Sequence, residues 1–281
     1  MFWAIVSNVL SSIDTVYYKK SLGLATLSNL LFSWLWEFSW LLISVFLVLI
    51  LWFDQSQLSW NTVLGIALII WIVTSAGYFD QALYRKEKVS DLLPYENLNS
   101  IFVIIIWFLI FRDASVISFV VSIIAFIVTI LFSINFKKLT LPRSIRFILI
   151  VEILYTAETL LTWRLLKNVP DKEFYVIYEV IVIFILFLPI LFKWILSQLK
   201  HIKPRFYWYR FGWSMAWNIS FLLYLFMVGE FGIVMSILFS FIWTWITLLF
   251  GYLFLKETPS KKDIWMTIII AILVAIGFIF Q

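Results

Sequence analysis

The chain has 281 residues, 64% of them hydrophobic and only 13% charged, with a mean hydropathy of +1.03. A soluble domain is roughly half apolar and about a quarter charged, so this balance excludes one. The net charge of +5 sits in short hydrophilic connections, as for lysines and arginines at a membrane surface, and no basic face of a nucleic-acid-binding fold accompanies it. The absence of cysteine removes a disulfide framework, a thiolate metal site and a cysteine nucleophile.

The apolar segments are long and continuous instead of alternating with period two, which argues for helices and against a β-barrel. At ~20 residues per span, hydropathy and chain breakers predict ten helices, over residues 2–18, 27–53, 62–84, 90–111, 115–134, 144–165, 174–196, 208–228, 231–255 and 263–280. The first opens on Phe2 with no charged leader and reads as a retained span rather than a signal peptide. It carries Ser7, Ser11, Asp14, Thr15 and Tyr18 on one face. The second holds Glu37 among Trp34, Trp36 and Trp40. Near the end of the third, Asp80 stands beside Gln81 and Arg85 and reads as a solvated end or an ion pair.

The fourth helix is the most uneven. It starts polar, with Asp91, Pro94, Tyr95, Glu96, Asn97, Asn99 and Ser100, runs as hydrocarbon from Ile101 to Phe111, and stops at Arg112-Asp113. Such a polar half cannot face acyl chains cheaply, so it should face protein or a water-filled cavity. The sixth helix repeats the stripe of the first with Glu152, Tyr155, Thr156 and Thr159, Glu158 lying slightly off the face; the seventh holds Glu179. In the eighth, Trp213, Trp217, Ser220 and Tyr224 share a face with Asn218 beside it. The ninth offers Ser236, Ser240, Trp243, Thr244 and Thr247 and no acid; tight joins are expected at 111–115 and at Gly229-Glu230.

Two readings compete for these groups. Hydroxyls inside a membrane commonly serve helix packing, and Glu179 also fits an interfacial position. Intramembrane carboxylates, by contrast, are candidate proton carriers or counter-ions. Most Trp and Tyr, such as Trp52, Trp60, Trp208 and Tyr209, read as interface anchors; the deeper Trp71, Trp217, Trp243 and Trp245 are candidates for an aromatic pocket. The single His201, beside Lys200, Lys203 and Arg205, reads as a solvated loop residue. No histidine-rich metal set, phosphate loop or serine–histidine pair supports an enzyme, so no catalytic residue, metal or cofactor is expected.

A shift of 144 residues lays one half on the other. Asp14-Thr15 falls on Glu158-Thr159, Lys20 on Arg164, and Phe111-Arg112-Asp113 on Leu255-Lys256-Glu257. Each half, 1–139 and 140–281, then holds five spans. Five is odd, so the second half enters the membrane inverted. Loops after odd spans carry 17 Lys and Arg against 4 elsewhere, which places the odd loops in the cytoplasm and both termini outside.

Ten spans, two five-helix repeats and an acidic turn closing the fourth helix of each repeat resemble the drug/metabolite transporter superfamily, specifically its EamA-type members. The family's Leu-Gly-Glu turn stands here as Phe111-Arg112-Asp113 and Leu255-Lys256-Glu257, with the acid kept and the glycine not. The polar start of the fourth helix is also similar. External termini depart from many members. The resemblance implies an all-α polytopic protein of the prokaryotic plasma membrane that moves a small metabolite, an amino acid or a related polar or amphipathic solute, by alternating access. The expected solute-binding residues are Ser11, Asp14, Glu37, Tyr95, Glu96, Asn99, Glu152, Tyr155, Glu158, Trp217, Asn218 and Trp243, with Glu37, Glu152, Glu158 and Glu179 as proton-coupling candidates. The expected partners are the small solute and the lipid bilayer. The alternative is a membrane scaffold or lipid-handling protein that keeps the fold without transport.

The orientation is directly testable. Single cysteines replacing Ser56 and His201 are expected to label, respectively, from outside and only after permeabilisation; the opposite pattern would invert the topology.

Overall fold

The computed structural model describes residues 2–24, 45, 59–111, 115–133, 143–190 and 204–279. Nine α-helices are present among the described residues: α1 (Phe2–Leu24), α2 (Trp60–Tyr84), α3 (Val89–Glu96), α4 (Leu98–Phe111), α5 (Val116–Ser133), α6 (Arg143–Leu166), α7 (Asp171–Ile190), α8 (Pro204–Phe250) and α9 (Lys261–Ile279). A π-helical turn, Gly251–Leu255, extends α8. The described residues thus hold nine helices, where the sequence predicts ten over the whole chain. The predicted second helix, with Glu37, lies outside the described residues apart from Val45, as do Arg112-Asp113 and His201.

Two boundaries differ from expectation for physical reasons. The predicted fourth helix is split at Asn97 into α3 and α4. Pro94 lacks the N–H a helix interior needs, and the Asn97 N–H turns to the Tyr95 carbonyl instead of continuing the ladder. The predicted junction at Gly229-Glu230 is absent as a break: α8 runs helical across it for 47 residues. Yet Lys20 Nζ lies 5.7 Å from the ring centroids of both Tyr209 and Phe254. A straight helix would hold those two residues about 68 Å apart at ~1.5 Å per residue, so the chain must double back.

Contacts with α1 bracket the reversal. Ser7 meets Ser220 and Tyr17 meets Gly212, so the first arm of α8 runs antiparallel to α1. Ser12 meets Thr247 and Lys20 meets Phe254, so the second arm runs parallel. α1 is thus flanked by both arms of α8, which turns between residues 220 and 243. Elsewhere α2 packs on α6 and α5 on α9.

Among the described residues, four stretches are long and apolar enough to cross a membrane: Trp60–Tyr84, Val89–Ile110, Val116–Ser133 and Pro204–Glu230. α1 and α6, 23 and 24 residues long, have the length but carry the polar stripes. α5 shows which medium the exterior suits. It buries Ser118, Ser122, Ala125, Thr129 and Ser133 and exposes Val116, Val120, Ile124, Ile127 and Leu131. Both sets recur at helical spacing, and the small polar set points inward. In water that arrangement is inside out; in lipid, small residues pack the helices and hydrocarbon meets hydrocarbon. The inward hydroxyls bond within the helix, Thr129 Oγ1 donating to the Ala125 carbonyl at 2.8 Å.

Short polar segments begin three helices. Ser59, Ser115 and Ser260 each accept the N–H of the residue three positions on, at 3.1, 3.1 and 3.2 Å, as N-caps do. At the other end of α8, Lys256 takes a left-handed conformation, φ 57° and ψ 30°. Replacing Lys256 by glycine should relieve this and raise stability by roughly 1 kcal/mol, read as a higher Tm in detergent.

Candidate functional site

α1, α2, the α3–α4 break, α6, α7 and α8 enclose a cavity of about 320 Å³, within the ~300–1,000 Å³ of small-molecule pockets. The polar stripe of α1 forms one wall, with Ser7, Asn8, Ser11, Asp14, Thr15 and Tyr18. The stripe of α6 forms another, with Glu152, Tyr155, Glu158 and Thr159. Asp80 and Tyr84 come from α2, Glu96 from α3 and Asn99 from α4. Aromatic surface comes from Tyr178 of α7 and from Trp213, Trp217, Phe221, Tyr224 and Trp243 of α8. The Trp217 and Phe221 rings stack at an interplanar angle of 10°.

Five carboxyl groups therefore meet one space, and among the described residues no lysine, arginine or histidine lines it. Four of the five have donors from the protein. Tyr155 donates its hydroxyl to Asp80 Oδ2 at 2.6 Å, and Tyr84 donates its hydroxyl to Glu96 Oε1. Thr162 and Thr159 donate to Glu158 at 3.0 and 3.3 Å. Glu152 Oε2 accepts the Asn99 N–H at 3.2 Å.

That last bond follows from the local fold. In an unbroken helix the Asn99 N–H would bond the Tyr95 carbonyl. The break at Asn97 makes Asn99 a first-turn residue of α4, where the amide has no partner in the helix and the dipole favours a negative group. Glu152, buried at 2% exposure, supplies it. Thr156, one turn on, donates to the Asn99 side-chain oxygen at 3.2 Å. α4 is thereby tied to α6.

On the opposite wall the hydroxyls of α1 hold both arms of α8. Ser11 and Ser220 are hydrogen-bonded at 2.6 Å, and Ser7 meets Ser220 at 3.1 Å. Thr247 donates to Ser12 Oγ at 2.9 Å, and Ser12 reaches the Trp243 carbonyl at 3.4 Å. Packing and cavity lining, weighed above as rivals, are both present on this one helix. Asp14 is 8% exposed, and its Oδ1 has no hydrogen-bond partner among the described residues, nor has Glu96 Oε2. The buried Arg210, its guanidinium 4.7 Å from the Trp213 ring centroid, acts on Asp14 electrostatically without lining the cavity.

Of the expected solute-binding residues, Ser11, Asp14, Glu96, Asn99, Glu152, Tyr155, Glu158, Trp217 and Trp243 line this cavity. Tyr95 does not: it is buried toward Ser133 of α5. Asn218 lies behind the wall, accepting the Tyr175 hydroxyl at 2.7 Å. Glu179 is fully buried beside Tyr175, off the cavity, and Glu37 lies outside the described residues. Trp71 and Trp245 turn outward, 66% and 42% exposed. Asp80, read from sequence as a solvated end or an ion pair, is a cavity acid held by Tyr155. Trp213, Ser220 and Tyr224, read from sequence as one face of the eighth helix with Trp217, also line it, whereas Tyr84 and Phe221 are members that the sequence reading did not assign to a site.

A comparison with protein families and with curated proteins finds no match for this chain.

The Asp80–Tyr155 bond makes a specific prediction. Tyr155→Phe leaves the Asp80 carboxyl group without its donor and should destabilise the protein by about 1–3 kcal/mol, measured as a lower Tm. Trp71→Phe, on the outer surface, should leave Tm within about half a kcal/mol equivalent of the parent.

Proposed function

We propose that this protein is a secondary transporter of a small metabolite, working by alternating access, as the EamA-type drug/metabolite transporters it resembles do. The observation that carries the reading is the acid- and aromatic-lined cavity between helices of both halves, inside a shell whose outer surface is hydrocarbon. A scaffold has no use for five carboxyl groups around one space, each costly to take out of water.

The proposal includes an inverted repeat of two five-helix halves, 1–139 and 140–281, in ten spans of a prokaryotic plasma membrane, with both termini outside. Contacts related by the 144-residue shift support it. Ser12 reaches Trp243, and the shifted positions are Thr156 and Asn99, which are hydrogen-bonded. Ser11 bonds Ser220, while Tyr155, its shifted equivalent, bonds Asp80, one turn from the position equivalent to Ser220. Gly65 lies against Leu165, and the equivalent positions, 209 and 21, fall beside the Lys20–Tyr209 contact. The Asn97–Thr244 hydrogen bond, 2.9 Å, maps nearly onto itself, as a contact beside a two-fold axis must. In inverted-repeat transporters broken helices contribute to the solute site, and the α3–α4 break contributes Glu96 and Asn99 here. Lys256 adds support for the family: it stands where the family's turn carries glycine, in the backbone conformation glycine favours.

Proton coupling is part of the proposal, through Glu152 and Glu158 of the cavity wall. The test is uptake into proteoliposomes, screened over amino acids, amines and nucleosides under an imposed pH gradient. Flux of at least one solute is expected, with Glu152→Gln or Glu158→Gln abolishing its dependence on the gradient and Glu179→Gln leaving it. Inert proteoliposomes across the whole screen would remove the transport reading.

A further inference from the structure

We propose that the solute is an organic cation, a protonated amine on an apolar or aromatic body, with its ammonium group at Asp14. The inference rests on the transporter reading for its setting, and on the cavity for its chemistry.

Asp14 projects from the middle of α1 into the cavity, 8% exposed, and its Oδ1 finds no hydrogen-bond donor among the described residues. Each of the other four cavity acids holds at least one tyrosine, threonine or backbone donor, although Glu96 Oε2, like Asp14 Oδ1, has no partner among the described residues. A buried carboxylate oxygen without a donor is costly, and the cost is met when a cation supplies both charge and hydrogen bonds. Arg210 moderates the charge on this wall from outside the cavity, and its guanidinium is engaged with the Trp213 face. The position at the ligand side of Asp14 remains for a group that arrives from solution.

The remaining lining decides among cations and excludes other classes. Trp213, Trp217, Phe221 and Tyr224 present ring surface to the same space, and ring faces attract ammonium groups while also receiving hydrocarbon. A bare metal ion gains nothing from those rings, and among the described residues no three acidic or histidine side chains are grouped to hold one. An anion would enter a cavity with five carboxyl groups and, among the described residues, no lining cation, an uncompensated desolvation. A neutral solute would bring no positive charge to the five carboxyl groups, of which Asp14 feels only the Arg210 guanidinium behind the wall.

The experiment uses four matched probes and the full chain in detergent: phenethylamine, phenylalanine, 3-phenylpropionate and 2-phenylethanol, with binding measured by calorimetry. Phenethylamine is expected to bind tightest, and Asp14→Asn to weaken it by about ten- to hundredfold while Asp14→Glu retains most of the affinity. Equal or tighter binding of phenylpropionate or phenylethanol would overturn the proposal, as would undiminished affinity in a folded Asp14→Asn protein. Should Asp14→Asn fail to fold, the order of the four probes on the parent protein decides alone. Flux separates this inference from the transport reading. Phenethylamine that binds but never crosses proteoliposomes overturns transport and leaves the site. Phenylpropionate that crosses while phenethylamine neither binds nor crosses overturns the site and leaves transport.

Discussion

Every polar group that enters an apolar medium must find its partner inside the protein, and the rest of this structure follows from how α1 meets that demand. Its hydroxyls reach both arms of α8, through Ser220 on one side and Thr247 and the Trp243 carbonyl on the other. These bonds hold a 47-residue helix folded around a single partner. α5 obeys the same rule from the other direction, hiding its serines and threonines and offering valine, isoleucine and leucine outward. With the hydrocarbon outside, the polar residues are left to pack helices or to line a space. Both happen on the same face of α1.

The cavity is where satisfaction is incomplete: Asp14 Oδ1 and Glu96 Oε2 have no hydrogen-bond partner among the described residues. Pro94 and Asn97 break a helix, the break releases the Asn99 amide, and Glu152 takes it. Tyrosines and threonines attend to Asp80, Glu96 and Glu158. Glu158 is held within α6, while Asp80, Glu96 and Glu152 serve as struts between helices, which ties the cavity's shape to its charge. Asp14 is not used as a strut. That inequality among acids of similar burial separates a wall built for support from a position built to receive something.

Much of this was legible beforehand, and the misses share one cause. The polar stripes of α1 and α6 appear at helical spacing, so their facing could be read, and seven of the solute-binding residues expected there and on the broken helix reached the cavity along with Trp217 and Trp243 of α8. Asp80 was misjudged because its place near a helix end suggests water, whereas α2 is packed on α6 up to that end and Tyr155 covers it. Tyr95 and Asn218 adjoin true lining residues in sequence, but one residue along a helix is about 100° of rotation. That turn sends Tyr95 toward α5 and Asn218 toward Tyr175. Trp71 is apolar enough for a pocket and for lipid alike, and only its neighbours choose.

By itself, then, the sequence determined the medium, the helical class, the polar faces and the place where a proline interrupts them, because composition and period are local properties of the chain. The tertiary structure alone decided that α8 turns back on itself beside α1, that five acids from four different helices share one space, and that Asp14 Oδ1 and Glu96 Oε2 are left without a donor among the described residues. Those are facts about pairing between residues as far as 235 positions apart. No local pattern encodes which of several chemically similar groups will meet which partner, since hydrogen bonds and burial are settled only when the helices come together.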